Sequence, residues 1–232
     1  MSTTENFQLI PSVIQGNYRI RAVYNEVYQR PIKETFHEFL VDYVKHIFGE
    51  EWLKKQEGME HVRRHKVANW CEDMFEFQKR NQLDKHLISV ENLYEVDATG
   101  PTWALLTLGY DLYCLRSVNK LPERIMKRLK KNSTFQSARY EILVTALMLK
   151  SGFDINFLEE NVSGLKSCEF IASDNKRGIE IGVEAKSRKR DISDEKYNSD
   201  RDSRALYRLI NKAVKQKPDD IPYIIFIDVN TV

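Results

Sequence analysis

The chain has 232 residues, of which 42% are hydrophobic and 30% charged, and its 36 basic and 34 acidic side chains leave a formal net charge of +2. This composition is that of an ordinary globular protein with one domain or two small ones, and its net charge identifies no partner. The three cysteines form no Cys-x-x-Cys pair, and no apolar run approaches the ~20 residues of a membrane span. A zinc knuckle, a disulfide framework and a membrane span are therefore not expected, and the sequence predicts a cytoplasmic protein.

Apolar residues recur at helical spacing through the N-terminal half, from about Tyr18 to Lys131. The run that contains Phe36, Phe39 and Tyr43 shows the pattern well, and Pro31 stands where a first helical turn tolerates proline. The spacing therefore predicts an all-helical region over residues 1–132.

The pattern changes in the C-terminal half. A helix is predicted after the N-cap candidates Ser133 and Thr134, and it ends at about Lys150. Short strand-like runs follow, and then a helix and a last strand. The predicted ranges are 154–157, 168–172 and 179–186 for the strands, 203–216 for the helix and 223–229 for the last strand. The order is thus helix, three strands, helix and strand.

The third of these strands alternates apolar and polar residues from Ile179 to Lys186. Because successive strand side chains point to opposite faces, Glu184 and Lys186 share the polar face while the apolar residues share the core face. Glu180 lies on the same polar face and is interpreted as solvated. An isolated Glu-x-Lys on a strand is commonly a solvated ion pair, so the interpretation as a site depends on the other acids.

Two more acids precede this strand. Glu169 lies in the predicted strand before it, and Glu141 lies in a helix that is apolar around nearly its whole circumference. A buried carboxylate needs a partner, and a metal-bound water or Lys186 would serve. The sequence therefore predicts that three acids and one lysine converge.

Such a cluster suits the hydrolysis of a phosphodiester with the help of a divalent ion. Magnesium takes one or two protein carboxylates as hard oxygen ligands, so Glu169 and Glu184 are sufficient anchors. Lys186, beside two carboxylates, should keep its proton, which favours orientation of water and stabilisation of charge. A role for Lys186 as the base stays open.

These residues resemble the PD-(D/E)xK nuclease superfamily, whose restriction-endonuclease-like core is a helix, three strands, a helix and a strand. The resemblance covers about Thr134 to Val229, with Glu141 as the acid of the first core helix, Glu169 as the first strand acid and Glu184-Ala185-Lys186 as the (D/E)xK element. Glu169 replaces the more usual Asp, and Cys168 replaces the nominal Pro.

The resemblance implies an α/β protein in which an all-helical N-terminal region, 1–132, binds substrate or partners and an αβββαβ core with a mixed central sheet, 133–232, is catalytic. It implies a Mg²⁺ site at Glu169, Glu184 and Glu141, with Mn²⁺ able to substitute, and catalysis by these acids and Lys186. The expected function is that of a DNA endonuclease of restriction, phage defence or repair type. The resemblance also implies a homodimer. Two alternatives stay open: a non-catalytic nucleic-acid-binding or assembly subunit that keeps the fold, and an RNase that uses the same site.

Basic residues near the proposed site are candidate phosphate contacts. They are Arg188, Lys189 and Arg190 directly after the third strand, and Arg204, Arg208 and Lys212 at helical spacing on the following helix. For the helical set, a solvated face is an equal alternative. The basic cluster around Arg128 is interpreted as amphipathic surface, and His61 and His65 as surface histidines rather than zinc ligands.

Overall fold

The computed structural model describes residues 12–83, 89–90, 93–94, 97–158, 168–188 and 199–229. These residues divide between two compact units, the first within Ile10–Tyr113 and the second within Cys114–Val232. The helices are α1 (Phe36–Phe48), α2 (Glu50–Glu57), α3 (Lys66–Leu83), α4 (Gly100–Ser117), α5 (Glu123–Leu129), α6 (Asn132–Lys150) and α7 (Ser199–Val214). The strands are β1 (Val13–Gln15), β2 (Tyr18–Val23), β3 (Glu26–Pro31), β4 (Ser89–Val90), β5 (Leu93–Tyr94), β6 (Asp154–Phe157), β7 (Phe170–Asp174), β8 (Ile179–Ser187) and β9 (Tyr223–Asp228).

The first unit opens with a three-stranded antiparallel sheet in the order β1-β2-β3. Gly16, with φ of 59°, begins the turn between β1 and β2, and Tyr24, with φ of 53°, begins the turn between β2 and β3. Together with the short pair β4 and β5, this sheet shows that the prediction of an all-helical N-terminal region was wrong.

Helix α1 begins later than its apolar pattern suggested. Pro31 ends β3, and Thr35 caps the helix by accepting a hydrogen bond from the backbone N–H of Glu38 at 3.2 Å. The Glu38 carboxylate accepts in return from the backbone N–H of Thr35 at 2.7 Å, which completes a capping box. This box, rather than a proline in the first turn, fixes the start of α1.

His65, directly before α3, is buried, so its interpretation as a surface histidine was wrong. This histidine precedes the helix and is only 1% exposed, and its backbone N–H donates to the Gln56 side chain at 3.0 Å. Its Nδ1 accepts from the backbone N–H of Val67 at 3.2 Å. His65 is therefore a buried structural residue, whereas His61 is exposed as expected.

The second unit contains a four-stranded sheet in the order β6-β7-β8-β9. The first three strands pair antiparallel, and β9 pairs parallel with β8 after the crossover through α7. Helix α6 packs against β6 and β8, and α7 packs against β8 and β9. The predicted order of helix, three strands, helix and strand and the predicted mixed sheet are confirmed.

Strand β8 is covered on both faces near its centre. Val183 is fully buried on the core face and Ala185 is 7% exposed, as the alternation predicted, but Ile179 at the start of the strand is 38% exposed. Glu184, on the opposite face, is also fully buried. The face predicted to be polar is thus withdrawn from water in the middle of the strand.

The division between the two units falls inside α4, between Tyr113 and Cys114. The functional boundary between residues 132 and 133 stays a prediction. Among the helices of the described residues, none has the length and apolar character to cross a lipid bilayer.

Gly182 allows the chain after α7 to cover β8. A Cβ atom at this position would lie 2.8 Å from Cγ of Pro218 and 3.2 Å from Cδ2 of Tyr223. We therefore expect Gly182→Ala to lower the free energy of unfolding by about 1–3 kcal/mol, since a proline ring has little freedom to move away. Urea unfolding measures this loss.

Gly58→Ala is the matched control, because a Cβ there would lie 3.9 Å from the nearest neighbouring atom, the backbone oxygen of Lys55. An unchanged unfolding midpoint for Gly182→Ala would show that the packing of Pro218 on β8 is looser than the structure indicates.

Candidate catalytic site

Strand pairing brings two of the predicted acids together. Phe170 of β7 pairs with Val183 of β8, and the backbone N–H of Glu169 donates to the Val183 carbonyl at 3.0 Å. In this antiparallel register Glu169 lies opposite Glu184. The two carboxylates are therefore cross-strand neighbours, held by backbone hydrogen bonds.

Lys186 contacts both of these acids. Its Nζ lies 3.7 Å from Oε1 of Glu169 and forms a closer ion pair with Oε1 of Glu184. The side chains of Lys186 and Glu169 are 21% and 19% exposed, whereas Glu184 is not exposed at all. One ammonium thus lies between a partly exposed carboxylate and a buried one, at the edge of solvent.

Burial controls the charge of Glu184. It raises the pKa of this carboxyl to about 7, against the opposing effect of the Lys186 ammonium. Beyond the Lys186 contact, neither carboxylate oxygen has a hydrogen-bond donor among the described residues. The ionised form of Glu184 therefore depends on a cation beside it.

Glu141 lies on α6, is 1% exposed and is paired with Arg128 of α5. Nη1 of Arg128 donates to Oε2 of Glu141 at 2.6 Å, whereas Oε1 is buried and has no hydrogen-bond partner among the described residues. Burial first, and then the charge of Glu169, raise the pKa of Glu141 to about 7, against the effect of Arg128. The predicted burial is confirmed, but the ion-pair partner is Arg128, not Lys186.

Arg128 is the site residue that sequence reasoning missed. It is 31% exposed and reaches from α5 to Glu141, so its assignment to ordinary amphipathic surface was wrong. Its backbone carbonyl also accepts from the Thr134 hydroxyl at 2.6 Å, which ties α5 to the start of α6. No local pattern in the sequence indicates this pairing, because it depends on how α5 and α6 pack together.

The structure brings Glu169, Glu184 and Lys186 together and holds Glu141 in a separate ion pair. Within the described residues, no three side chains of Asp, Glu, His or Cys form a group that could hold one metal ion. The donors nevertheless suit a hard divalent cation, since all are carboxylate oxygens and two of them, Oε1 of Glu141 and Oε2 of Glu184, are buried without a hydrogen-bond partner among the described residues. The joint binding of one ion by all three acids stays a prediction.

Three of the predicted nucleic-acid contacts line one small cavity beside β8. Arg188, Arg208 and Lys212 surround it, together with Ala205 and Leu209 of α7, and its volume is about 190 Å³. Arg188 is 8% exposed, and its backbone N–H donates to the carbonyl of Asp228 at 3.0 Å.

The remaining predicted contacts have different positions. Arg204 is exposed on α7 and does not line this cavity. Lys189 and Arg190 lie outside the described residues.

Replacement of Arg128 tests the counter-charge of Glu141. We expect Arg128→Met to lower the free energy of unfolding by about 1–3 kcal/mol at pH 8, because the buried carboxylate loses its partner. Arg128 lowers the pKa of Glu141, so its removal raises a pKa that is already about 7. When the folded state raises the pKa of a carboxyl group, the protein becomes less stable as pH rises. The loss of unfolding free energy caused by Arg128→Met should therefore be smaller at pH 5 than at pH 8. Urea unfolding at pH 5 and pH 8 measures the loss of unfolding free energy and its dependence on pH.

The double variant with Arg128→Met and Glu141→Gln is the control, and it should recover most of the loss at pH 8. Lys127→Met, at an exposed neighbouring position, should be neutral. Equal losses at pH 5 and pH 8 would show that Arg128 acts through packing alone.

No protein-family model, no curated protein and no solved structure matches this chain. Its function is therefore inferred from the geometry of the site.

Proposed function

We propose that this protein is a divalent-metal-dependent nuclease with a restriction-endonuclease-like PD-(D/E)xK core. The observation that carries the proposal is the pairing of Glu169, directly before β7, with Glu184 of β8, and the contact of Lys186 with both, within an αβββαβ unit. A solvated surface ion pair does not account for a carboxylate that is fully buried, as Glu184 is. Such an acid costs folding energy and is typical of functional sites.

Glu169 and Glu184 would hold a magnesium ion, with manganese as a substitute. Such an ion supplies polarisation of the phosphoryl oxygen and activation of water at neutral pH. The described carboxylate oxygens that have no hydrogen-bond donor suit this ligand chemistry. Glu141 would act beside this pair of acids, because the charge of Glu169 is close enough to raise the pKa of Glu141.

Lys186 lies beside two carboxylates and forms an ion pair with each of them. An ammonium in this position would orient the attacking water by hydrogen bonding and would stabilise the negative charge that develops on the phosphoryl oxygens. Its partial exposure leaves it accessible to a substrate from solvent. Orientation and charge stabilisation are therefore the roles we assign to it.

DNA is the proposed substrate, and an endonuclease of restriction, phage defence or repair type is the proposed class. Arg208 and Lys212 of α7 line one cavity of the second unit together with Arg188, which directly follows β8. Cations in this position suit the backbone of a nucleic acid strand. A homodimer, which would cut both strands of a duplex, remains a prediction.

Incubation with supercoiled plasmid tests the activity. We expect the plasmid to be nicked or linearised with Mg²⁺ or Mn²⁺ and to be spared in EDTA. Labelled DNA and RNA of one sequence, compared under the same conditions, separate a deoxyribonuclease from an RNase. Absence of metal-dependent cleavage of either polymer contradicts the proposal.

A second candidate function is a non-catalytic nucleic-acid-binding or assembly subunit. It is favoured by the internal neutralisation of the acids, since Lys186 lies between Glu169 and Glu184 and Arg128 pairs with Glu141. Calorimetry distinguishes the two: a nuclease takes up Mn²⁺ at Glu169 and Glu184, whereas this alternative predicts no uptake together with salt-sensitive DNA binding.

A further inference from the structure

The first unit contains a cavity of about 430 Å³ that is lined by none of the candidate catalytic residues. We name it the α1 cavity, because α1 forms much of its wall, together with the end of β3, the turn between them and one residue of α3. Its volume lies within the range of small-molecule sites, roughly 300–1,000 Å³. Its polar lining includes Arg30, Lys33, Glu34, Asp42, Lys45 and Gln78.

Most of the charges that line the α1 cavity pair with one another. Nε of Arg30 donates to Oε1 of Glu34 at 2.6 Å, and Nη2 of Arg30 forms a close ion pair with Asp42. Nζ of Lys45 lies 3.5 Å from Oδ1 of Asp42, and Glu38 is occupied by the capping box of α1. These charges are therefore satisfied within the protein, and they form a fixed wall between β3 and α1.

Three polar groups of the described lining have no such partner. Oε2 of Glu34 is buried without a hydrogen-bond partner among the described residues, and the side chain of Glu34 is only 6% exposed. Within the same part of the chain, the half-buried amide of Gln78 and the exposed ammonium of Lys33 form no hydrogen bond or ion pair. A buried acceptor without a donor costs free energy, which a donor from a ligand would recover.

The electrostatics around Glu34 favour a neutral donor over a cationic one. Arg30 is bonded to Oε1, and a second guanidinium, that of Arg21 on β2, lies nearby. Burial lowers the pKa of Arg21, and the charge of Glu34 opposes this lowering. A ligand ammonium at Oε2 would be repelled by both guanidinium groups, whereas the amino group of a heteroaromatic ring is a neutral N–H donor.

A nucleotide combines such an amino group with an anion. Carboxylates accept from the amino group of cytosine, and glutamine amides pair with base edges that present a donor beside an acceptor. Oε2 of Glu34 and the amide of Gln78 are one acceptor and one adaptable group of this kind, and the ammonium of Lys33 suits phosphate. We propose that the α1 cavity binds a nucleotide whose base carries an exocyclic amino group. This site does not rest on the proposed nuclease function.

Nucleotides that differ in their amino group test the role of Glu34 without altering the protein. Inosine monophosphate lacks the amino groups of guanosine and adenosine monophosphates, and uridine monophosphate has a carbonyl where cytidine monophosphate has its amino group. In calorimetric titrations of the full chain in EDTA, we expect an amino-bearing nucleotide to bind at least about tenfold more tightly than its counterpart, which leaves Oε2 without a donor. Equal affinities, or no binding of any nucleotide, would overturn the proposal.

Replacement of the two other uncommitted groups tests the position of the site. Lys33→Gln and Gln78→Ala should each weaken nucleotide binding by about tenfold, and both should fold because neither side chain has a partner to lose. Lys79→Gln is the matched control, because Lys79 is exposed beside Gln78 on α3 and does not line the α1 cavity. Unchanged affinity in the first two variants, or an equal loss in the control, contradicts the assignment.

Competition for a bound, labelled nucleotide distinguishes the possible ligands. Inorganic phosphate and spermidine should each compete poorly, since one has no base and the other is a cation. Effective competition by either would reduce the site to a simple ion site and sink the proposal. A short single-stranded oligonucleotide that competes better than the free nucleotide would show that the cavity takes a nucleotide of a strand, and weaker competition would show that it takes a free nucleotide. All of these measurements are made in EDTA, so none depends on cleavage.

Discussion

Lys186→Ala is expected to lower kcat for metal-dependent DNA cleavage by about 10²–10³-fold, the usual effect of removing a group that stabilises developing charge. The ammonium contacts Glu169 and Glu184 and is partly exposed, so its loss leaves the bound phosphoryl group without its neighbouring cation. Because the role proposed for Lys186 is in the transition state rather than in substrate binding, KM should change little. Steady-state kinetics on a short labelled duplex measures both quantities.

Lys127→Ala is the control for this experiment, since Lys127 is 78% exposed and its ion-pair contact within the described part of the chain is a long i,i+4 contact with Glu123. It should cleave as the unaltered protein does. Lys186→Ala with unchanged kcat would refute the assignment of the site, whatever the substrate proves to be.

Glu184→Gln is expected to stabilise the protein at alkaline pH while removing its response to divalent ions. The folded-state pKa of Glu184 is raised to about 7 by burial, so the folded state resists losing this proton. As pH rises from about 4.5 through 7, the stability that the protonated form contributes is lost. The variant escapes this loss and should be more stable at pH 8 by up to about 3 kcal/mol in EDTA, and equally stable at pH 4.

Thermal unfolding across this pH range, with and without Mn²⁺, measures both effects. Manganese should raise the midpoint of the unaltered protein and leave that of Glu184→Gln where it was. Glu180→Gln, at an exposed position on the same strand, should keep the pH dependence and the manganese response. A manganese response retained in Glu184→Gln would mean that the ion binds elsewhere.

The second unit was largely predictable from the sequence because its signals are local. Strand β6 has the predicted bounds, and β8 ends within one residue of its prediction, because a polar residue or turn breaks the alternation at each end. Alternation also placed Glu184 and Lys186 on one face, which is why their contact could be expected. The start of α6 was less accurate, since Thr134 bonds to the Arg128 carbonyl instead of capping the helix.

The sheet of the first unit was missed although a signal for it was present. Gly16-Asn17 is a hairpin dipeptide, and β2 alternates Arg19 and Arg21 with apolar residues. The strongly helical pattern that begins at Phe36 was extended backwards over this short segment. Strands of three to six residues give few repeats of their period, so a neighbouring helix easily dominates a window that includes both.

Two properties of the site depend on packing and could not be predicted from the sequence alone. The pairing of Arg128 with Glu141 requires the contact between α5 and α6, and the full burial of Glu184 requires cover on the polar face of β8. Hydrophobic patterning predicts which face of an element is apolar, but it does not predict what covers the other face. Both properties alter the charge of the acids, so sequence reasoning found the residues but not their electrostatics.

The interior position of β8 in the sheet determines which residues a redesign can change. Neighbouring strands bond β8 on both sides, so the backbone that carries Glu184 and Lys186 has little freedom to adjust to a new ligand. Arg208 and Lys212, which line the cavity beside β8, are exposed side chains of α7. They can be replaced without disturbing the hydrogen bonds between β8 and its neighbouring strands. Libraries that aim at altered substrate preference should therefore diversify α7 and leave the strand intact.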